Sequence, residues 1–392
     1  MQLVAYGAQD IYLTGNPQIT FFKVVYRRHT NFSMEAIEQT WNGSATTTGR
    51  CTATISRNGD LVHRMYIEVG GSHSPDNNFN NPGVGWINDV ELEIGGQKID
   101  KHSAQWMEVW AELTQPNNGG LVSTTAASTG ETATGTLFQN MAGMGGCNAG
   151  NNKTAKYFVP LQFWFCRNPG LALPLIALQY HEVKVILDHR ISTTTMYDAD
   201  ADIVNKLWAD YIYLDTDERR RFAQVSHEYL IEQVQEQSYS TSTQELNFNH
   251  PVKELIWAGF SGAKGAVNGT ETTVPDTTKT DTFQLKLNGH DRFAARPVIY
   301  FTRTQVWEHH SGYGGLISSS ASATGGSSDG IAVYSFALKP EEHQPSGTCN
   351  FSRIDNAQLI CSGTVVANTL IFAVNYNVLR IMSGMGGLAY SN

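Results

Sequence analysis

The chain has 392 residues, of which 41% are hydrophobic and only 16% are charged, so glycine and uncharged polar residues must cover much of its surface. Its formal net charge of −9 argues against tight sequence-independent binding to DNA or RNA, which needs a basic face. This length exceeds what one hydrophobic core usually organises, so two domains are expected.

The five cysteines include no CxxC pair and predict neither a disulfide framework nor a zinc site, but unpaired thiols in a reducing compartment. The N-terminal sequence lacks the basic and apolar regions of a secretory signal. The longest uncharged apolar run, residues 171–178, is far shorter than the roughly 20 residues of a transmembrane helix. We therefore expect a soluble protein made in a cytoplasm.

Residues 1–30 are predicted to form an N-terminal arm, because short apolar pieces in this region are separated by turn residues. Phe21 and Phe22 lie in this arm and must be buried somewhere. They pack either under their own domain or on a neighbouring subunit, and the second alternative makes them candidate interface residues.

Short strands dominate residues 31–214, the first predicted domain. Asn58-Gly59 predicts a hairpin turn, and Gly95-Gly96 predicts another. Trp106 and Trp110 recur at helical spacing within residues 103–113, which predicts a short helix followed by a long loop. The predicted strands of this domain include residues 36–41, 52–56, 61–69, 90–94 and 207–214.

Residues 157–187 are predicted to form two strands joined by a turn. The apolar, aromatic run from Phe163 to Phe165 favours the first strand, and Asn168-Pro169-Gly170 favours the turn. Pro174 argues against a central hydrogen-bonded strand before the final segment.

A linker helix is predicted at residues 215–225, with Asp215 or Thr216 as its N-cap. Arg219, Arg220 and Arg221 in this helix form either a solvated face or a subunit-interface face, and a nucleic-acid site is the weaker alternative.

The second half, residues 226–392, repeats the pattern of the first. VELEIGGQ at residues 90–97 aligns without gaps with FQLKLNGH at residues 283–290, and a turn follows each strand. The predicted fold is therefore all-β, with two tandem eight-stranded jelly-roll β-sandwiches, long loops and a few short helices.

The sequence carries no recognisable catalytic constellation. His181-Glu182 and His227-Glu228 lack the second histidine of an HExxH zinc motif, and the 12 histidines include no HxH pair of the kind that a cupin needs. We predict no enzyme activity, no cofactor and no metal. Of the N-x-[ST] sequons, Asn152 and Asn268 lie in predicted loops and are the better candidate glycosylation sites, although chance occurrence in an Asn/Ser/Thr-rich chain is the favoured explanation.

Several long blocks of the sequence together resemble one protein family, the major capsid proteins of nucleocytoplasmic large DNA viruses, and most closely its algal phycodnavirus members. These blocks cover the chain in order, and the loops between them are the divergent parts. They include GAQDIYLTGNPQITFFKVVYRRHTNF at 7–32, ELEIGGQKIDKH at 91–102, NPGLALPLIALQYHEVK at 168–184, YLDTDERRRFAQVSHEYLIEQ at 213–233, PSGTCNFSRIDNA at 345–357 and NYNVLRIMSGMGGLAY at 375–390.

This resemblance implies a double jelly-roll subunit that forms a homotrimer of pseudo-hexagonal outline. Such trimers would tile an icosahedral shell, contact neighbouring capsomers and minor capsid proteins, and lie near an internal membrane without contacting nucleic acid directly. The protein would be assembled in the host cytoplasm and reside in the virion. Trp106, Trp110 and the three arginines at 219–221 are then candidate subunit-interface residues.

Two alternatives remain open at the level of sequence. A carbohydrate-binding or carbohydrate-active β-sandwich would also explain the aromatic residues and the Asn/Thr-rich loops. A bicupin metalloenzyme would share the double jelly roll, but it is disfavoured by the missing HxH pair.

Overall fold

The computed structural model describes residues 32–72, 83–115, 154–191, 202–260, 272–273, 281–312, 330–365 and 368–390. The predicted arm with Phe21 and Phe22, and the sequons at Asn152 and Asn268, lie outside the described residues. Those assignments stay predictions.

The first half of the chain folds as two antiparallel sheets that enclose one hydrophobic core. Its helices are α1 (Ala104–Thr114), α2 (Trp164–Arg167) and a 3₁₀ turn (Pro169–Leu171). Its strands are β1 (Phe32–Gln39), β2 (Trp41–Gly43), β3 (Gly49–Thr54), β4 (Leu61–Ser72), β5 (Ile87–Ile94), β6 (Gln97–Ser103), β7 (Thr154–Pro160), β8 (Leu173–Pro174), β9 (Val183–His189) and β10 (Val204–Leu214).

The strand order is β1-β10-β4-β7 in one sheet, with β8 beside β4, and β2-β3-β9-β5-β6 in the other. The first and last strands of the unit pair with each other, and the strands between them pair in a nested order across two sheets. This nesting defines a jelly roll.

The second half begins after α3 (Thr216–Gln224) and contains a π-helix (Tyr300–Thr304), α4 (Gln305–His309) and a 3₁₀ turn (Phe351–Arg353). Its strands are β11 (His227–Tyr239), β12 (Thr243–Glu245), β13 (Pro251–Phe260), β14 (Thr272–Thr273), β15 (Thr282–Leu287), β16 (His290–Asp291), β17 (Arg296–Pro297), β18 (Ala332–Ser335), β19 (Cys349–Asn350), β20 (Ala357–Cys361), β21 (Thr369–Met382) and β22 (Met385–Leu388).

These strands repeat the nested order around a second core. One sheet runs β11-β21-β13-β14, with β18 and β19 beside β13 and β22 beside β21. The other runs β12-β20-β15-β16, with β17 beside β15. The prediction of an all-β fold with two tandem jelly rolls is confirmed.

Corresponding hairpins show that the internal repeat is structural. Gly95 and Gly96 turn β5 into β6 with φ values of 59° and 84°, and Asn288 and Gly289 turn β15 into β16 with φ values of 51° and 77°. Two successive positive φ values define the hairpin turn whose twist matches the flanking strands, and glycine and asparagine tolerate them best. The two aligned segments therefore adopt the same local geometry.

Two local predictions were wrong. Asn58-Gly59 does not close a hairpin, because β3 and β4 lie in different sheets and the segment crosses between them. A Cβ atom at Gly59 would lie 2.8 Å from the Cβ of Tyr211, so close packing explains this glycine. The aromatic run Phe163–Phe165 is not a strand either, since its last two residues open α2, and this turn buries all three rings between the sheets.

Candidate functional site

Helix α1 joins the two jelly rolls. The predicted short helix is confirmed, and Ser103 caps it by accepting a hydrogen bond from the amide of Trp106 at 3.3 Å. Its apolar side chains lie on the outer face of the second jelly roll's β11-β21-β13 sheet. The rings of Trp106 and Phe372 are 5.3 Å apart, which makes this contact a shared hydrophobic core rather than a loose linker.

This packing does not support the prediction that Trp106 and Trp110 contact other subunits. Trp106 is 0% exposed and Trp110 is 3% exposed in the single chain. Side chains so completely covered offer almost no surface to a second subunit. The interface that they form connects the two halves of one chain.

A buried ionic cluster lies beside this hydrophobic contact. Glu232 on β11 binds Arg167 from α2 at 2.9 Å and Lys253 from β13 at 2.8 Å. Arg167 also stacks on the ring of Trp110, with 4.5 Å from Cζ to the ring centroid. Arg167 belongs to the first jelly roll and Glu232 to the second, so the cluster crosses the junction.

The ion pairs within this cluster favour the charged form of Glu232 despite its burial. Burial alone would raise the pKa of Glu232, but Arg167, His343 and Lys253 outweigh it and lower the pKa to about 2. Burial lowers the pKa of Lys253, and the carboxylates of Glu232 and Glu254 offset this only in part. Lys253 also donates to the carbonyl of Pro340 at 2.6 Å.

A second buried group, centred on His310, closes the end of α1. Its Nε2 lies 3.0 Å from Glu254, and its Nδ1 lies 3.1 Å from Glu341. The following residues contact the last turn of α1, since the amide of Gly312 donates to the carbonyl of Leu113 at 2.7 Å. Burial would lower the pKa of His310, but the two carboxylates outweigh burial and raise it to about 9.

This histidine predicts a pH dependence of stability at alkaline pH. A pKa raised in the folded state means that the contribution is complete below the unfolded value of about 6.5 and is lost as pH rises towards about 9. We expect the wild type to lose on the order of 3 kcal/mol more unfolding free energy than His310→Gln between about pH 6 and about pH 10. Chemical denaturation of both proteins at each pH measures the difference, and parallel pH profiles would contradict this role.

The histidine of the His181-Glu182 pair has a framework role. His181 Nδ1 lies 2.8 Å from the carbonyl oxygen of Gly386, and the amide of Tyr180 donates to Gly384 at 2.9 Å. These contacts fasten the loop before β9 to the C-terminal β21–β22 turn. Within the described ranges, no group of three or more His, Cys, Asp or Glu residues is placed to hold a metal ion.

The three arginines at positions 219–221 lie exposed on α3, which Asp215 caps by accepting from the amide of Thr216 at 2.7 Å. Arg219 binds the buried Asp60 at 2.9 Å although its own side chain is 62% exposed. Arg219 is therefore engaged within its own chain, and an interface role for the three arginines stays a prediction.

An aromatic surface lies on the outer face of the first jelly roll, where Phe158 is exposed and Tyr66 and Trp208 are partly buried. The rings of Tyr66 and Trp208 stack at 6.3 Å, and Phe158 meets Tyr66 edge-on at 6.1 Å. We call these three residues the β4–β10 face. Trp208 also donates to Glu68 at 2.8 Å, which ties its indole to the neighbouring strand β4.

A groove of about 670 Å³ runs beside the β4–β10 face, and Arg64 and Asp210 are among its lining residues. No prediction from the sequence identified this surface. A signal for it lies in the sequence of β10, where Trp208 and Ile212 on one face alternate with Leu207, Ala209 and Tyr211 on the other. Large apolar residues on both faces of one strand indicate that the outer face is also covered or in contact.

Helices of the described residues are all too short or too polar to cross a bilayer.

Comparisons with known proteins match both halves of the chain. Residues 20–215 match the family model of the major capsid protein N-terminus, and residues 218–387 match that of the large eukaryotic DNA virus major capsid protein. The chain is 52% identical to the major capsid protein of Pyramimonas orientalis virus, with 100% of this chain and 99% of the relative covered. It is 41% identical to that of Paramecium bursaria Chlorella virus 1, with the same coverage.

Solved structures give the same relationship. The crystal structure of PBCV-1 VP54, fitted into a reconstruction of the virophage Sputnik, superposes with a TM-score of 0.76 at 36% identity, covering 95% of this chain and 100% of VP54. The Faustovirus major capsid protein superposes with a TM-score of 0.65 at 13% identity, covering 96% of this chain and 94% of that one, and shows the shared fold alone.

Proposed function

Because this chain belongs to the family of large eukaryotic DNA virus major capsid proteins, we propose that it forms homotrimers whose six jelly rolls build one pseudo-hexagonal capsomer. Its membership places it in the virion capsid, as a structural protein. The finer assignment, a trimer as the unit that tiles an icosahedral shell, is our inference.

The repeated strand order carries this proposal. One chain holds two jelly rolls of the same nested topology, fixed to each other by α1 and by the Arg167–Glu232–Lys253 cluster. Three such chains around an axis present six similar units. A shape of nearly sixfold outline can pack against copies of itself in a flat array, which is what the faces of a large shell require.

The remaining assignments follow from the same proposal. We divide the chain into a first jelly roll at 31–214, a linker helix at 215–225 and a second jelly roll at 226–392, and the family matches change at the same place, between residues 215 and 218. The partners would be neighbouring capsomers and minor capsid proteins. A net charge of −9 supports a shell that does not touch the genome. We also propose that this shell lies near an internal membrane and is assembled in the host cytoplasm.

The mass of the purified protein in solution tests the trimer. We expect light scattering to give three times the 43.2 kDa of one chain, and electron microscopy to show particles of hexagonal outline. The interface should be of the obligate class, above about 2,000 Å², so the trimer should persist at micromolar dilution. A monomer at all concentrations would overturn the proposal, and a monomer that binds or cleaves a polysaccharide would favour the carbohydrate alternative.

A further inference from the structure

The internal repeat gives each chain two matching helix-and-sheet pairs, and among the described residues only one of the two helix-on-sheet contacts is made. Helix α1 lies between β6 and β7 in sequence, and α4 occupies the same connection of the second jelly roll, between β17 and β18. The first helix covers a sheet of the second jelly roll. The corresponding sheet of the first jelly roll carries the partly exposed β4–β10 face.

The strand registers show which residues correspond. Phe372 of β21 is opposite Ile256 of β13, and Trp106 of α1 packs on this pair. In the first jelly roll Trp208 of β10 is opposite Tyr66 of β4. Strand β10 corresponds to β21 and β4 to β13 in the nested order, so the β4–β10 face is the counterpart of the surface that α1 covers.

The two proposed partner surfaces, one around Trp307 and the other on the β4–β10 face, both include exposed aromatic side chains. Trp307 on α4 is 81% exposed, whereas its neighbour Val306 is 4% exposed and fixes the helix to the core around α1. Leu338 is 76% exposed and lies beside α4, where His309 Nδ1 is 3.3 Å from its carbonyl oxygen. Phe158 in the β4–β10 face is 41% exposed. Large exposed aromatic groups of this kind are typical anchors of protein interfaces.

We propose that Trp307 of one subunit docks on the β4–β10 face of a second copy of this chain, repeating between subunits the contact that α1 makes within each subunit. The inference rests on the proposed trimer and names its contact. Such an interface joins unlike surfaces head to tail, and it closes only if the rotation between successive units completes a ring. Three chains close a ring of six jelly rolls if the intersubunit contact and the intrachain contact each turn by about one sixth of a full rotation.

Dissociation of the trimer on dilution tests the contact. Trp307→Ala should raise the concentration at which trimers dissociate by at least about tenfold, because loss of a tryptophan anchor typically weakens an interface by this amount or more. Tyr180→Ala is the matched control, since Tyr180 is a 75% exposed aromatic residue on a different connection, before β9. Mass photometry of the three proteins over a dilution series gives the comparison.

A cysteine pair gives an independent readout. The double variant Trp307→Cys with Phe158→Cys should form disulfides between subunits under mild oxidation, giving a trimer that resists denaturing electrophoresis without reductant. Each single variant should remain monomeric on the same gel.

The outcomes separate the two proposals. A monomeric wild type would overturn the trimer itself. A trimeric wild type, with Trp307→Ala equally stable on dilution and no cross-link in the double variant, would overturn the docking contact and leave the trimer standing.

Discussion

Replacing Glu232 with glutamine is expected to lower the free energy of unfolding by about 3–5 kcal/mol. Glutamine keeps the size of the side chain but removes the negative charge, which leaves the buried Lys253 and the partly buried Arg167 without their shared carboxylate. Such isolated charges are among the most costly groups in a protein interior. Denaturant unfolding followed by circular dichroism, at one fixed protein concentration, measures the change.

The control lies on the same strand. Glu228 binds Arg380 at 2.8 Å, but both side chains are more than half exposed, at 59% and 51%. Glu228→Gln should change the unfolding free energy by less than about 1 kcal/mol, because water screens exposed ion pairs. Equal losses of unfolding free energy in Glu232→Gln and Glu228→Gln would show that burial does not make the Glu232 ion pairs more important for stability than an exposed ion pair.

The dependence of stability on pH in the acidic range gives a second test of the role of Glu232. Its folded-state pKa of about 2 lies below the ordinary unfolded value of about 4.3, so its contribution is complete above the unfolded value and is lost as pH falls towards 2. The stability difference between wild type and Glu232→Gln should therefore narrow across that interval and stay constant at higher pH.

Truncating Trp106 to alanine is expected to cost about 3–5 kcal/mol, the range typical of large buried aromatic residues. The side chain is fully buried between α1 and the β21 sheet, so its removal leaves a cavity at the junction of the jelly rolls. Thermal and denaturant unfolding measure the loss. Truncation of the 75% exposed Tyr180 to alanine is the control and should leave the unfolding free energy within about 0.5 kcal/mol of the wild type.

If Trp106→Ala unfolded like the wild type, the junction would not be a shared core. A loss confined to one of two separate transitions would indicate that the halves unfold independently. We expect a single transition, because α1 and the Arg167–Glu232–Lys253 cluster couple the two cores.

The junction has a direct consequence for assembly. In the proposed trimer, a ring of six jelly rolls would tolerate little error in the angle between neighbours, and three of its six contacts would lie inside the chains. Hydrophobic packing alone permits sliding, whereas the paired charges at Glu232 and at His310 accept one geometry. We infer that the buried ions specify the angle between the jelly rolls, at some cost in stability.

The sequence by itself determined the local elements whose signals lie within a few residues. The alternation of Val90, Leu92 and Ile94 predicted β5, and the helical spacing of Trp106 and Trp110 predicted α1. The repeat and the long family blocks were sufficient for the double jelly roll and the capsid assignment, both of which the structure and the comparisons confirm.

Only the tertiary structure decided which elements meet. Asn58-Gly59 has the residues of a hairpin, but β3 and β4 lie in separate sheets and contribute to the same core from opposite sides. Trp106 and Trp110 show helical spacing whether they face their own chain or a neighbour, and their partners at Phe372 and Arg167 lie far away in the sequence. Burial and ion pairing depend on such distant contacts, so no local pattern could distinguish a core tryptophan such as Trp106 from an exposed one such as Trp307.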